Sequence, residues 1–424
     1  MARSKSRKIT LFLCYNSAMK NQKAIPTVLL AFLLLLTNLF SCARQEVTET
    51  AKAMRPAQTP PNLGDDLKLK SLIVGLKKSI TRLKKSQKVL HFGEKEISSQ
   101  AYAKELSKIL NVFKKDPSQV LSYIKNTFEW QEVYGREEWG EILMTSYYEP
   151  IYEGRRSKTA RFSQAIYQLP KDFVEVELDA FSREDLGNFD TDRKKVGGRV
   201  TSGPIGDKII PYYNREEIDI AGKLNGKGLE LYYLDPIQAF FLQIQGSGAV
   251  RLKNGSIHRV GYAGQNGFRY QSIGKKLFDI IPKSEMSLQR IEAHLRTLSK
   301  EDLYQFLKCN PSYVFFKKLK SGRGRTTFGP QVIPGRTIAV DPRFFALGSL
   351  AYLSFQKPVF ENKYSTVPLK FETRDRFVVA HDTGGAIKGP GRADLFWGEG
   401  ASALQYAGVL RHPAKLWFLF PKNW

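Results

Sequence analysis

The sequence predicts a mixed, mainly β fold in which short strands form a barrel and a helical region precedes them. Between residues 65 and 130, apolar residues recur at the three- and four-residue spacing of amphipathic helices. From Ile142 onward, short apolar or alternating stretches are separated by glycine and proline. Many short strands joined in this way are typical of barrels.

The composition describes a folded, strongly basic chain. Its 424 residues are 42% hydrophobic, enough for one large or two ordinary domains and too apolar for wholesale disorder. The formal net charge of +25 favours an anionic partner, which nucleic acid, anionic lipid or an acidic polymer could each provide. Because the chain has no zinc-finger spacing, RNP motif or basic heptads, we do not expect nucleic acid. Its three cysteines and five histidines show no ligand spacing, so neither a metal nor another cofactor is expected.

Residues 1–42 resemble a bacterial lipoprotein signal peptide, whose true start could be Met19. Lysines precede an apolar run at 28–36 that is too short to span a bilayer comfortably. The run leads to a serine followed by Cys42, which predicts lipidation of that cysteine. In lipoproteins, a residue other than aspartate after the lipidated cysteine implies retention in the outer membrane. Ala43 occupies this position and therefore predicts an outer-membrane protein that faces the periplasm. An uncleaved anchor helix is the alternative.

The segments that follow are predicted from their local patterns. Residues 43–64 contain several prolines and polar residues and predict a flexible tether. Periodic apolar residues predict helices at 69–83 and 102–113, and Asp116 and Pro117 supply an N-cap and a first-turn proline for a third helix.

Strands are predicted for most of the remaining chain. Residues 174–178 alternate with a period of two, as a half-buried strand does. A helical stretch interrupts the strands at 273–308. Further short strands are expected at 337–340, 350–355, 377–380 and 416–420.

Candidate catalytic residues concentrate between residues 381 and 398. The apolar strand before them delivers Asp382 to a glycine-rich turn, in which the backbone can approach a ligand closely. Asp394 is followed by three apolar residues. An apolar environment favours the neutral carboxyl group and raises its pKa, as a general acid requires. A third acid, Asp341, ends another strand.

Two other interpretations of these aspartates stay open at this point. Each could simply form a turn or a helix cap, which Asp-Thr-Gly and Asp-Pro favour. An aspartic protease also uses Asp-Thr-Gly, but it needs two such aspartates sharing a proton. This chain contains only one Asp-Thr-Gly, at 382–384, and Gly385 stands where serine or threonine would be expected.

The ordered motifs resemble those of the membrane-bound lytic murein transglycosylase A family. The family pattern Asp-x-Gly-Gly-Ala-Ile-Lys-Gly is present at 382–389. Further matching blocks follow the family's order, although Ser146 replaces a glycine of the first; they lie at 147–150, 240–248, 261–267, 272–275 and 310–316. The resemblance implies a double-psi β-barrel domain that contains three aspartates, with Asp394 as catalytic acid and base and Asp341 and Asp382 in support.

Substrate contacts are predicted from residue chemistry. Amide and hydroxyl groups on a glycine-bracketed turn suit the polar groups of a sugar, aromatic rings can stack on pyranose faces, and a lysine can hold a carboxylate. Ordinary core packing and solvation are the alternatives. The predicted contacts are Tyr147, Tyr148, Gln245, Gly246, Ser247, Tyr262, Asn266, Lys388 and Trp397.

The resemblance implies a two-lobed enzyme. Residues 65–150 would form the helical part of the barrel domain, 151–309 an inserted β-rich domain, and 310–424 the three-aspartate catalytic domain. The expected function is lytic transglycosylase cleavage of peptidoglycan between N-acetylmuramic acid and N-acetylglucosamine, forming 1,6-anhydro ends. The expected protein is a monomer that acts on glycan strands. A non-catalytic peptidoglycan-binding lipoprotein and a hydrolytic muramidase on the same scaffold remain alternatives.

Overall fold

The structure is a computed structural model that describes residues 47, 49–135, 138–178, 195–204, 206–282, 285–320 and 322–424. These residues belong to one compact unit, Val47–Trp424. The predicted signal peptide, with Cys42, lies outside the described residues. Within the described ranges, no helix is long and apolar enough to cross a membrane.

Strands outnumber α-helices in the described part of the chain. The helices are α1 Leu69–Leu83, α2 Ser99–Lys115, α3 Val120–Thr127, α4 Arg215–Asp219, α5 Pro236–Gln245, α6 Leu288–Leu295, α7 Lys300–Leu307 and α8 Gly400–Ala407. The strands are β1 Met54–Pro56, β2 Val89–Phe92, β3 Lys95–Ser98, β4 Phe128–Val133, β5 Glu141–Glu149, β6 Ile151–Glu153, β7 Gln164–Tyr167, β8 Phe173–Glu177, β9 Lys195–Gly203, β10 Gly206–Pro211, β11 Glu230–Leu234, β12 Gly248–Arg251, β13 Ile257–Gln265, β14 Val314–Lys318, β15 Thr337–Ala339, β16 Leu350–Val359, β17 Lys370–Asp382, β18 Arg392–Glu399 and β19 Arg411–Pro421.

Six strands close into a barrel in the order β5-β18-β15-β17-β16-β19 and back to β5. The β5–β18 and β15–β17 pairs are parallel, and the other four pairs are antiparallel. Strands β4 and β1 extend the sheet beyond β19. Together with the helices and the second β-rich region, this barrel confirms the predicted fold class.

The barrel and helices α1 to α3 share one hydrophobic core. In α1, the apolar residues that predicted the helix form its buried face, since Leu72, Leu76 and Leu83 are all buried. Phe377 and its apolar neighbours up to Ala380 are fully buried in β17. A continuous apolar run is expected of a strand that is covered on both faces.

Residues between β5 and β15 form sheets and helices with separate hydrophobic cores. The largest sheet has the order β14-β13-β12-β6, and the two smaller ones have the orders β7-β11 and β8-β9-β10. Helix α5 packs its phenylalanines, Phe240 and Phe241, into the core of this region. The two cores on this side share no residue with the barrel core.

The predicted tether at 43–64 needs correction within the described residues. Met54–Pro56 forms β1 and pairs with β4 in the barrel sheet, and Ala53 and Met54 are buried. The prolines of this segment predicted a tether. Pro56 instead ends an edge strand, where a missing N–H group is tolerated.

Candidate active site

The three aspartates meet around the end of β15. Asp382, the last residue of β17, lies opposite Ala339 of β15. Asp394 of β18 lies opposite the same alanine on its other side. Asp341 follows two residues later, where the chain leaves β15. The barrel register therefore assembles the three acids that the sequence analysis selected.

Asp394 is half-buried in the middle of the sheet, and its carboxyl group is only partly engaged. The Thr145 hydroxyl donates a hydrogen bond of 2.9 Å to Asp394 Oδ1, from the directly opposite position on β5. No described residue donates a hydrogen bond to Oδ2, so this oxygen can meet a ligand. Burial raises the pKa of Asp394 to about 6, although the Thr145 hydroxyl and the charge of Arg392 oppose the increase.

Both carboxylate oxygens of Asp382 accept hydrogen bonds from neighbouring residues. Its Oδ1 accepts hydrogen bonds from the backbone N–H groups of Thr327 and Thr383, both at 3.0 Å, and from the Thr327 hydroxyl at 3.2 Å. Its Oδ2 accepts the Tyr147 hydroxyl at 2.8 Å. Burial raises the pKa of Asp382, and these hydrogen bonds oppose that effect. Asp382 therefore positions Tyr147, and it makes no direct hydrogen bond to Asp394.

Asp341 is fully buried and forms an ion pair with Arg343, with 2.8 Å between Nη2 and Oδ2. The Gly389 N–H group donates to the same oxygen at 2.8 Å. Burial alone would raise the pKa of Asp341, but the Arg343 and Gly389 hydrogen bonds outweigh it, so the pKa is lowered. This carboxylate fixes the glycine-rich turn between β17 and β18.

A buried network that the sequence analysis missed joins the barrel to the inserted region. Glu149 lies opposite Glu399 where β5 and β18 end. Arg259 of β13 forms ion pairs with both, with 3.7 Å between Nη1 and Glu149 Oε2 and 2.8 Å between Nη2 and Glu399 Oε2. Glu149 Oε1 also accepts the Ser247 hydroxyl at 2.9 Å and the Gly324 N–H group at 2.6 Å. Burial raises the pKa of Glu149, although these two hydrogen bonds act to lower it.

Several predicted substrate contacts lie where a ligand could reach them. Gln245 is the last residue of α5, which ends in the left-handed conformation of Gly246, with φ of 75°. Tyr262 of β13 is 51% exposed. Lys388 is exposed and forms no ion pair among the described residues. Tyr147 packs its ring on Phe396, with 5.1 Å between centroids, beside the Asp382 carboxylate.

Three predicted contacts have structural roles instead. Tyr148 is 2% exposed and shares a hydrogen bond with the Tyr152 hydroxyl. Asn266 is fully buried and uses both amide atoms within the protein, donating to Tyr213 and Pro311 carbonyls and accepting from Tyr313.

Trp397, the third of these predicted contacts, packs within the protein. It is an odd number of residues from Asp394 along β18 and therefore faces the opposite side of the strand. Its ring stacks on Tyr406 of α8, with 4.9 Å between the centroids.

Gln245 provides a prediction about glycan binding. Its Oε1 accepts the Tyr148 N–H group at 3.1 Å, whereas its NH2 group has no partner among the described residues. Because Gln245→Glu keeps the acceptor and removes the free donor, that variant should weaken oligosaccharide binding about two- to tenfold. Gln245→Ala should weaken binding at least as much, and the melting temperature of Gln245→Glu should stay close to that of wild type. Unchanged affinity of Gln245→Glu in calorimetry would exclude a sugar contact by this amide.

Among the residues that the structure describes, no group of three or more histidine, cysteine, aspartate or glutamate side chains has the arrangement of a metal site. Three features of the protein are available for chemistry at Asp394. These are a carboxyl group with a raised pKa, a hydroxyl that holds one of its oxygens, and a second oxygen that is open.

Comparisons relate the chain to one group of proteins. The family model described as the MltA specific insert domain matches residues 143–317, and the model described as the 3D domain matches 336–420. Membrane-bound lytic murein transglycosylase A of Escherichia coli K12 is 28% identical over 293 residues, 68% of each chain. A crystal structure of a membrane-bound lytic murein transglycosylase from Agrobacterium tumefaciens is similar with a TM-score of 0.67 and 25% identity, covering 85% of this chain and 94% of that one. MltA from Neisseria gonorrhoeae has a TM-score of 0.63 and 27% identity, with 88% and 97% covered.

Proposed function

Because the chain belongs to the membrane-bound lytic murein transglycosylase A family, we propose that it cleaves peptidoglycan glycan strands by lytic transglycosylation, with Asp394 as the catalytic acid and base. The bond cleaved is the β-1,4 bond between N-acetylmuramic acid and N-acetylglucosamine. The products carry 1,6-anhydro-N-acetylmuramic ends.

The state of the Asp394 carboxyl group carries this proposal. Its pKa of about 6 keeps a useful fraction protonated near neutral pH, and Oδ2 is open to a ligand. Asp382 cannot take the same role, since four hydrogen bonds occupy its two oxygens. An ordinary glycosidase uses two carboxyl groups, whereas here Asp394 alone would serve as both acid and base.

A single carboxyl group is sufficient if the substrate supplies the nucleophile. Protonated Asp394 donates its proton to the glycosidic oxygen, and the bond to the muramic anomeric carbon breaks with oxocarbenium character. The resulting carboxylate then accepts the proton of the muramic 6-hydroxyl as that oxygen attacks the anomeric carbon. Because the nucleophile belongs to the same sugar, its effective concentration is very high and no water is consumed.

Mass spectrometry of the products from purified sacculi tests the reaction. Lytic transglycosylation releases muropeptides about 18 mass units lighter than hydrolytic products, because water is not added. If muramic acid with a reducing end is the main product, the protein is a hydrolytic muramidase. If sacculi are bound without release of any soluble product, the protein is a non-catalytic binding lipoprotein.

The pH profile provides a prediction for Thr145. Asp394 must be protonated in the free enzyme, so kcat/KM should fall as pH rises through its pKa of about 6. The Thr145 hydrogen bond stabilises the charged form, and its loss in Thr145→Val should move the midpoint of this fall to higher pH. Thr145→Ser keeps a donor and should keep the wild-type midpoint. Identical midpoints for Thr145→Val and wild type would show that this hydroxyl does not set the pKa.

We propose a division into a barrel domain, formed by residues 65–150 and 310–424, and an inserted domain at 151–309. Separate hydrophobic cores support two domains, but Tyr313, Phe315 and Phe316 belong to the inserted cores. Because β14 also pairs with β13, we propose that the inserted domain extends to Lys318 and not only to residue 309. We further propose that the protein is a monomer held in the outer membrane through a lipid on Cys42, facing the periplasm. The short apolar run before Cys42 and the membrane-bound relatives support the anchor.

Lipidation at Cys42 has a direct test. The wild-type protein should incorporate labelled palmitate and partition into detergent, whereas Cys42→Ala should do neither. Cys309→Ala serves as a matched control, because Cys309 lies in the folded body and should not affect labelling. Recovery of Cys42→Ala in the outer-membrane fraction would contradict a lipid anchor at this position.

A further inference from the structure

A basic pocket of about 380 Å³ lies on the inserted region, away from the aspartates. Tyr232 of β11 lines one side, and the paired strands β13 and β14 contribute His258, Arg259 and Lys318. The chain after β14 adds Lys320 and Gly322. The pocket therefore combines an aromatic wall with several nitrogen-bearing side chains.

The lysines of this pocket lack counter-charges. Neither Lys318 nor Lys320 has a carboxylate within 4 Å among the described residues, and Lys318 Nζ lies 5.7 Å from the centre of the Tyr232 ring. Arg259, in contrast, is already paired with Glu399 and Glu149. Two uncompensated positive charges in one concave surface repel each other, and an anionic ligand would relieve that repulsion.

The following loop adds to the positive potential. Arg323 and Arg325 come next along the chain, and Arg323 is paired with Glu399 at 3.4 Å between Nη2 and Oε1. After burial, the charges of both arginines are the main causes that lower the pKa of Lys78. Gly322 has φ of 76°, and a Cβ atom there would lie 2.0 Å from Gln331 Nε2. The turn therefore requires glycine, and it fixes the course of the basic loop beside the pocket.

The pocket is linked to the catalytic strand but is too far from Asp394 for proton transfer. Its Arg259 is ion-paired with Glu399, five residues beyond Asp394 on β18. At about 3.3 Å per residue, these five residues span roughly 16 Å. A group bound in the pocket would be one that the glycan carries at some distance from the bond being cleaved.

We propose that this pocket binds carboxylates of the peptide stems that peptidoglycan carries on its muramic residues. The inference rests on the proposed function, because those stems supply the anionic side groups of that polymer. Lysine suits this role, since its flexible ammonium group binds a carboxylate as a point charge without demanding one geometry. The pocket would select peptide-bearing stretches of the strand for binding.

Binding of labelled glycan strands tests this assignment without depending on turnover. Strands with intact stems are compared with the same strands after an amidase has removed the stems, both on an Asp394→Asn background. The amidase hydrolyses the amide bond between stem and lactyl group and frees the lactyl carboxylate, so both polymers remain anionic. Lys318→Ser combined with Lys320→Ser should raise the Kd for peptide-bearing strands about three- to tenfold and leave the Kd for stripped strands unchanged. The difference should shrink at high salt.

Lys317→Ser is the matched control. Lys317 is exposed like Lys318, but it is the adjacent residue of β14 and faces the other side of the strand. Equal weakening of both strand types, no weakening, or the same effect from Lys317→Ser would each overturn the assignment. Failure of the proposed function is a separate outcome, namely wild-type protein that releases no 1,6-anhydro ends.

Discussion

Asp394→Asn should lower kcat for the cleavage of sacculi by about 10²–10⁴-fold or more, the largest effect expected for a change at the candidate site. Asparagine preserves the size of the side chain and can still accept the Thr145 hydrogen bond at its oxygen. It cannot release the proton that the leaving oxygen needs, nor take up the proton of the 6-hydroxyl. Because one group serves both steps, the loss should lie at the upper end of that range.

Release of anhydro-muropeptides per unit time measures this loss, and strand binding shows whether the variant still recognises its substrate. Asp382→Asn is the matched control, because it also replaces a buried carboxylate in the adjoining part of the barrel. It should reduce kcat less, since Asp382 acts by positioning Tyr147. A folded Asp394→Asn protein that cleaves at nearly the wild-type rate would show that another residue supplies the proton.

The individual aspartates could be selected from the sequence, but their geometry could not. Asp382 and Asp394 stand out because apolar runs and glycines surround them in the chain. Their placement on either side of Ala339 depends on β15 pairing with both β17 and β18. No local pattern specifies which strands pair or in which register, because pairing is decided by contacts between distant segments.

Thr145 shows the same limit more sharply. It is separated from Asp394 by 249 residues, and the parallel pairing of β5 with β18 places the two side by side. Local geometry predicts only that Thr145, Tyr147 and Glu149 share one face if this segment is a strand, because alternate side chains point to the same side. That face carries the contacts to Asp394, Asp382 and Arg259.

Three of the predicted contacts are engaged within the protein, for two physical reasons. Tyr148 and Trp397 were predicted because aromatic rings can stack on pyranose faces. Neighbours along a strand point to opposite faces, which sends Tyr148 into the inserted region's side and Trp397 onto α8. Asn266 is polar, but its amide satisfies buried backbone groups that would otherwise lack partners.

The segment before α1 is held to the barrel by a fully buried ion pair. Arg336 is 0% exposed, and its Nη1 and Nη2 atoms lie 2.6 Å and 2.9 Å from the two carboxylate oxygens of Asp65. The same guanidinium donates to the Phe377 carbonyl and to the Ser71 hydroxyl of α1. This arginine therefore connects the segment before α1, the helix itself and β17.

Asp65→Ala should lower the free energy of unfolding by about 3–5 kcal/mol, because it leaves the Arg336 charge buried without a counter-ion. The double variant Asp65→Leu/Arg336→Met should recover much of that loss, since it removes both charges and fills similar volume. Glu105→Ala, which breaks the surface pair with Lys108 on α2, should change stability by roughly 0.5 kcal/mol or less. Urea denaturation at neutral pH measures all three differences from the midpoints and slopes. A loss below about 1 kcal/mol for Asp65→Ala would mean that the carbonyl acceptors around Arg336 suffice to hold its charge.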